Sequence, residues 1–278
     1  MSATWYGEGP LPPEVPIGLA GWVRVLVRAV PLAFAVFGGL GVLLLLRLVE
    51  QPIWGRRRPV TPFITVLVCR MALVLLGLRL EVRGEVDRDA AALVANHSSW
   101  LDIFVLNAVR RVYFVSKAEV ARWPGIGWLA RATGTVFIQR DHRKAAAQTQ
   151  VFKDRLAAGH ELLFFPEGTS TDGQRVLPFK SSLFAAFIDP RLCEACRIQP
   201  VSLRYIAPSG QDERFFGWWG DMEFGSHFLQ ILAHGAGGRV CLCYHPPVRV
   251  AEQANRKALA QACETAVRAG LEEMSAAP

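Results

Sequence analysis

From Ala29 to Leu46 the chain runs eighteen residues without a charge, preceded by Arg24 and Arg28 and closed by Arg47. A run of that length suffices for a short membrane-inserted helix. The sequence after it, Arg47-Leu48-Val49-Glu50, offers no small-residue cleavage site, so the segment reads as a retained anchor and not as a removed signal. The competing reading is a buried core helix. Gly38, Gly39 and Gly41 would weaken a helix in water and so favour the anchor. Ahead of it, Met1 to Ile17 is rich in Pro and Gly and is predicted to be a loose tail.

A second apolar run, Val60 to Leu80, follows Trp54-Gly55-Arg56-Arg57-Arg58 and has Arg70 at its middle. An arginine at the bilayer centre costs roughly 2.5–3.5 kcal/mol on insertion scales, and the three arginines before the run favour the cytoplasmic side. A second full crossing would put everything after it outside, away from cytosolic cofactors. The second segment is therefore expected to lie in the interface or to dip in and return, with Arg70 reaching headgroups or the domain that follows. This divides the chain into a tail (1–20), a two-helix membrane element (21–81) and a third region (82–278).

Composition agrees with a membrane-facing protein. Half of the residues, 51%, are hydrophobic, yet the net charge is +7. A basic chain with much apolar surface suits an anionic membrane face or an anionic ligand. Nucleic acid fits less well, since no nucleic-acid-binding motif is present and much of the basic excess flanks apolar segments. Cys193-x-x-Cys196 and Cys241-x-Cys243 invite a zinc reading, but the second pair lacks the usual spacer. Val240-Cys241-Leu242-Cys243-Tyr244 reads instead as an apolar strand with both thiols on one face. No metal site is expected, and a disulfide framework does not suit so large a chain.

From Val82 onward the pattern is α/β. Expected strands are 92–96, 112–116, 134–139, 161–165, 198–205 and 238–244; expected helices are 102–110, 117–121, 127–133, 143–158 and 251–274. Their alternation predicts a mainly parallel, mixed sheet flanked by helices.

The loops after these strands, where open α/β sheets bind ligands, carry the chemistry. The first is Asn96-His97-Ser98-Ser99-Trp100-Leu101-Asp102, between a short apolar strand and the start of a helix. If the turn folds back, Asp102 can hold one imidazole nitrogen of His97 and leave the other as a base of fixed tautomer. That is the orienting logic of a serine-protease triad without a protein nucleophile, which would be a substrate hydroxyl. The same residues also suit a helix start, with Ser99 as N-cap and Asp102 favoured by the dipole. The second stretch is Gly134 to Arg140, where Arg140 could clamp a phosphate or carboxylate, or belong to a solvated cluster with Asp141, Arg143 and Lys144. The third is Phe165-Pro166-Glu167-Gly168-Thr169-Ser170-Thr171-Asp172-Gly173. It could offer amides and hydroxyls to an anion or headgroup, or be a plain turn, although turn chemistry does not require Glu167. Lys180 could steer an anionic donor, and Pro200 within a strand suggests a bulge or an edge. The aromatic run 215–220 suits either a headgroup-level segment or a buried cluster.

In this order, these residues resemble the lysophosphatidic acid acyltransferase family of membrane-bound glycerolipid acyltransferases. His97-x4-Asp102 matches the family's first block, and Gly134 to Arg140 is similar to the second, whose arginine is implicated in binding the acceptor phosphate. Phe165-Pro166-Glu167-Gly168-Thr169 matches the third, and Gln199-Pro200-Val201 resembles the fourth. The resemblance implies that His97 and Asp102 are catalytic, that Arg140, Glu167, Gly168, Thr169 and Lys180 bind substrate, and that no cofactor is needed beyond an acyl carrier protein or coenzyme A thioester as co-substrate. It implies membrane lipids as partners and a location at the inner membrane with the catalytic domain in the cytoplasm. Two departures stand out. Members acting on lysophosphatidate usually carry an arginine after the Glu-Gly-Thr, where this chain has Ser170, and many have a glycine where it has Ser182. The third block looks more like the bacterial branch that includes lyso-ornithine lipid O-acyltransferases. An acyl-thioester hydrolase and a non-catalytic membrane-binding module are the rival classes. No Gly-x-Ser-x-Gly elbow is present, so a serine acyl-enzyme is not favoured.

Overall fold

The computed structural model describes residues 4–138, 145–189, 194, 196–235 and 237–276. The fold is a mixed sheet with helices on both faces. Its strands are β1 (Leu78–Arg83), β2 (Ala92–Ala95), β3 (Tyr113–Lys117), β4 (Val136–Ile138), β5 (Leu162–Phe164), β6 (Arg197–Ile206), β7 (Gly238–Tyr244) and β8 (Val248–Arg249). They lie in the order β1-β7-β6-β2-β5-β3-β4, with β8 beside β6. The centre is parallel, as expected, while β6 pairs antiparallel with β7 and β8.

β1 was not expected. Leu78-Arg79-Leu80-Glu81-Val82-Arg83 alternates apolar and charged residues and pairs parallel with β7 from Leu78↔Gly238 to Arg83↔Cys243. The expected boundary between 81 and 82 therefore falls inside a strand. Pro200 behaves as its chemistry demands. The β6 ladder passes from Ile198↔Val248 to Val201↔Tyr244, and Pro200, with no N–H to give, occupies the interruption.

Alternation sets the two cores. Leu93, Ala95, Val201, Leu203 and Tyr205 point to one face; Ala92, Val94, Leu162, Phe164 and Ile198 point to the other. Helices α5 (Ala145–Ala157) and α7 (Arg256–Ala276) cover the second face. The first is covered by α2 (Thr61–Leu75), α3 (Asp102–Val109) and α6 (Phe224–Ala233). A short α4 (Ile126–Thr133) ends at Gly134, whose φ of 88° supplies the left-handed cap. The expected helix at 117–121 is a 3-10 turn, Ala118–Arg122.

The charge-free run lies within α1, a single helical rod from Leu19 to Trp54. Pro31 cannot donate into the ladder, and the backbone relaxes through a π turn at Phe34–Gly38. The rod does not stand off the domain. Arg24 and Arg28 donate to the Ala233 and Leu232 carbonyls at the end of α6 and to the His234 carbonyl just past it. Further along, a Cβ on Gly39 would come within 2.4 Å of Val68, so glycine is what lets α1 and α2 touch. Glu50 of α1 accepts the amides of Val60 and Thr61 at the start of α2. At about 1.5 Å per residue, the 15 residues of α2 are too short to cross a bilayer core. Arg70 reaches the domain, donating to the Ala108 carbonyl at 2.7 Å. Phe34, Leu45, Leu48, Phe63, Leu67 and Val74 leave an exposed apolar face along both helices, the kind of surface that marks membrane contact.

The predicted loose tail is not loose where it is described. Trp5 donates its amide to Thr169 Oγ1, Glu8 pairs with Arg175, the Pro10 carbonyl accepts from Arg214, and Glu14 accepts from Ser226. Pro and Gly give this segment its extended shape, and anchoring side chains hold it on the domain.

Candidate active site

β2 and β5 are parallel, with Ala92 opposite Leu162, so the loops that follow them leave the sheet side by side. One carries His97 and the other Glu167. The turn after β2 is closed by the aspartate and not by the serine. Asp102 Oδ2 accepts the amides of Ser98 (2.8 Å) and Ser99 (3.1 Å), while Ser99 Oγ is buried without a partner among the described residues. The same oxygen lies 2.7 Å from His97 Nδ1. Oδ1 accepts the Tyr205 hydroxyl at 2.7 Å. Burial and the adjacent Asp102 carboxylate hold that phenol well above its usual pKa, so it donates. A fully buried carboxylate surrounded by donors offers the imidazole only lone pairs. Nδ1 therefore carries the proton, and Nε2 is the basic nitrogen. Nε2 has no hydrogen-bond partner among the described residues, and the side chain is 23% exposed. Phe165 stacks on the ring at 4.1 Å and 12°, which fixes its plane.

Several residues brace this turn. Asn96 is buried and exchanges two 2.8 Å bonds with the Leu203 backbone, extending the ladder one step past β2. Thr171 donates its amide to the His97 carbonyl at 2.9 Å, and Trp218 donates to the Ser98 carbonyl at 2.8 Å. The aromatic run is thus a brace within the fold: Phe216 and Trp219 are buried.

The residues expected to bind substrate fall into three groups. Glu167 is 1% exposed, and its two oxygens accept the amides of His97 and Leu177, each at 2.7 Å. It ties the turn that carries His97 to the loop after β5. Burial pushes its carboxyl up to about 8, against the pull of the two amides. Lys180 reaches back to the Glu167 carbonyl at 2.7 Å. Gly168, with φ 72°, and Thr169 form the half-buried rim of the same loop. Arg140 lies outside the described residues, as does Cys193. Among the described residues there is no group of three His, Cys, Asp or Glu placed to hold a metal.

Tyr205, Asn96 and Thr171 are additions that sequence reasoning did not single out. Tyr205 had a signal: it shares a strand face with Val201 and Leu203, so its hydroxyl had to find a buried partner. Asn96 and Thr171 act through their positions across the sheet and between loops, which spacing along the chain does not reveal.

The chain matches known proteins. The acyltransferase family model fits residues 79–204. Over 271 residues the chain is 52% identical to a lyso-ornithine lipid O-acyltransferase from Rhodobacter capsulatus, covering 98% of each chain. It is 37% identical over 143 residues to a 1-acyl-sn-glycerol-3-phosphate acyltransferase from Neisseria gonorrhoeae, covering 50% of this chain and 54% of that one. Among solved structures, the 1-acyl-sn-glycerophosphate acyltransferase of Thermotoga maritima superposes with a TM-score of 0.66 at 23% identity, covering 93% of this chain and 97% of that one. At that identity the likeness speaks for the fold. The chain belongs to the lysophosphatidic acid acyltransferase family, and it is an acyltransferase.

Proposed function

We propose that this enzyme moves a fatty acyl group from an acyl carrier protein or coenzyme A thioester to the free hydroxyl of a lysolipid in membrane lipid biosynthesis. Lyso-ornithine lipid is the favoured acceptor. The observation that carries the chemistry is the 2.7 Å contact between His97 Nδ1 and the buried Asp102 carboxylate. The acceptor hydroxyl gives its proton to His97 Nε2 as its oxygen attacks the thioester carbonyl. The tetrahedral intermediate collapses, the C–S bond breaks, and the leaving thiolate takes the proton from Nε2. Asp102 holds the ring and stabilises its charged form. Proton transfer of this kind contributes about 10²–10⁴-fold, and positioning two bound substrates supplies much of the rest.

The acceptor choice rests on two facts. A lyso-ornithine lipid O-acyltransferase is similar over nearly the whole chain, and Ser170 stands where lysophosphatidate-specific members usually place an arginine. 1-acyl-sn-glycerol-3-phosphate is the second reading, favoured by the shorter match to an acyltransferase of that name. Expected substrate contacts are Arg140, Thr169, Gly168 and Lys180, with Glu167 shaping the loop that presents them. The exposed apolar face of α1 and α2 lies on the inner membrane with the sheet on the cytoplasmic side, so lysolipid enters from the bilayer.

The test supplies acyl thioester with lyso-ornithine lipid, with lysophosphatidate or with neither, and measures product and free fatty acid. Acylated lyso-ornithine lipid is the expected product, and His97→Ala should abolish it while membrane association persists. Free fatty acid formed equally well without lysolipid would make the enzyme a hydrolase. Full transfer by the His97→Ala variant would remove the proposed base.

A further inference from the structure

The anchored N-terminal segment forms one side of an open cavity of about 310 Å³ against the domain. Its wall includes Trp5 and Glu8 from that segment, Asp172 and Arg175 from the loop after β5, Arg214, and Trp219 from the aromatic run. One wall of the cavity belongs to the loop that braces the site: Asp172 follows Thr171, whose amide holds the His97 carbonyl.

The lining charges form a balanced set of two cations and two anions. Arg175 bridges Glu8 (2.6 Å) and Asp172 (3.2 Å) and lies over the Trp5 ring at 5.1 Å. Arg214 is held by Asp212 behind the wall and by the Pro10 carbonyl, and lies 5.9 Å from the Trp219 ring centre. Asp172 is almost fully buried. Trp219 is 2% exposed, yet its indole Nε1 has no hydrogen-bond partner among the described residues. That N–H faces the segment at Gly7, where a Cβ would come within 3.0 Å of it. A buried donor without a partner, next to paired charges around a void, is an arrangement that a ligand completes.

We infer that this cavity is the headgroup subsite of the acceptor and that it selects a zwitterion, an amino-acid headgroup with one carboxylate and one ammonium. The inference rests on the lysolipid reading above and names the residues that choose among lysolipids. The amide-linked ornithine headgroup has this chemistry. Its carboxylate takes the guanidinium edges of Arg175 and Arg214 and the Trp219 N–H, and its ammonium takes Glu8 and Asp172. A zwitterion leaves the four-charge balance unchanged. A phosphate monoester brings extra negative charge against Glu8 and Asp172 and offers them no cation, so it is disfavoured by repulsion as well as by lost contacts. The subsite also gives the N-terminal segment a purpose, since without it the cavity loses Glu8 and the ring of Trp5.

The test uses the full chain in detergent micelles, titrated calorimetrically with lyso-ornithine lipid and with lysophosphatidate in the absence of acyl donor. The same preparations are then assayed for acylation of both. The wild type should bind lyso-ornithine lipid at least about tenfold more tightly than lysophosphatidate. Arg175→Gln should erase about tenfold of that preference, with the change in KM and not in kcat. Glu8→Gln, on the exposed segment and safe for folding, should do so by a smaller factor. Equal binding of the two lipids by the wild type, or an unchanged preference in both variants, would overturn the subsite and leave the acyltransfer reading intact. Selective binding that the variants lose, with no transfer to either lipid, would uphold the subsite and sink the acyltransfer reading.

Discussion

Two imidazoles sit at opposite ends of the parallel strands, and they are built alike up to one partner. His97 follows β2 and stacks on Phe165 at 4.1 Å; His160 precedes β5 and stacks on Tyr113 at 4.0 Å. Each uses Nδ1 in a side-chain hydrogen bond. For His97 the partner is the Asp102 carboxylate, and for His160 it is the Arg155 guanidinium at 3.2 Å. A guanidinium can only donate, so Nδ1 of His160 accepts and its Nε2–H is given to the Arg56 carbonyl at 3.0 Å. Burial and Arg155 together push its pKa down to about 4. His160 is a neutral tie between the arginine turn and the sheet, with both nitrogens occupied. The carboxylate reverses the tautomer at His97 and leaves Nε2 basic and open. An imidazole's chemistry here follows from whether its neighbour accepts or donates.

The sharpest way to break this contrast is to remove each ring. His97→Ala should cost acyl transfer about 10²–10⁴-fold in kcat with little change in stability. His160→Ala should cost about 1–3 kcal/mol of stability, read by denaturant unfolding, and leave kcat near the wild-type value. Inverted results would mean that the partner rule is wrong. Asp102→Asn tests the partner itself. An amide can donate to Nδ1 and impose the tautomer seen at His160, so a loss of about 10²-fold or more is expected in kcat. Smaller again is Tyr205→Phe. It removes one of the donors to Asp102 and should lower kcat by about tenfold or less, since a hydrogen bond to a charged group is worth about 1.5–3 kcal/mol and only part of that acts in the transition state.

The smallest effect sharpens the comparison through pH. Burial sets the Glu167 carboxyl at about 8, above the 4.5 of an unfolded chain. The folded protein therefore keeps a proton that the unfolded chain has released. The stability this gives is full below about pH 4.5 and is lost as pH rises through about 8, at up to about 1.4 kcal/mol per pH unit. Thermal melts taken from about pH 6 to about pH 9 should fall, and Glu167→Gln should flatten the slope. Burial also pushes the Glu161 carboxyl up to about 8, so Glu161 contributes to the slope that remains.

Much of this was legible in the chain. The buried central strands announced themselves as apolar runs, and the His-x4-Asp spacing led to a real contact because a tight turn before a helix brings those positions together. The reading failed where one signal hid another. β1 was absorbed into the apolar run before it, although its alternation from Leu78 to Arg83 was visible. The tail's Pro and Gly content suggested looseness, but its order comes from Trp5, Glu8 and Glu14 meeting partners more than 150 residues away. Turn chemistry does not require Glu167, but that it grips two backbone amides depends on how loops meet across the sheet, which no local pattern encodes.

The pairing of β1 with β7 has a consequence for how the molecule is made. Leu78 meets Gly238, so the strand that leads out of the two apolar helices waits for a partner synthesised about 160 residues later. At roughly 5–20 residues per second, translation leaves that edge open for about 8–30 seconds. Until β7 arrives, β1 presents unpaired backbone groups, the kind of edge that can pair with another chain.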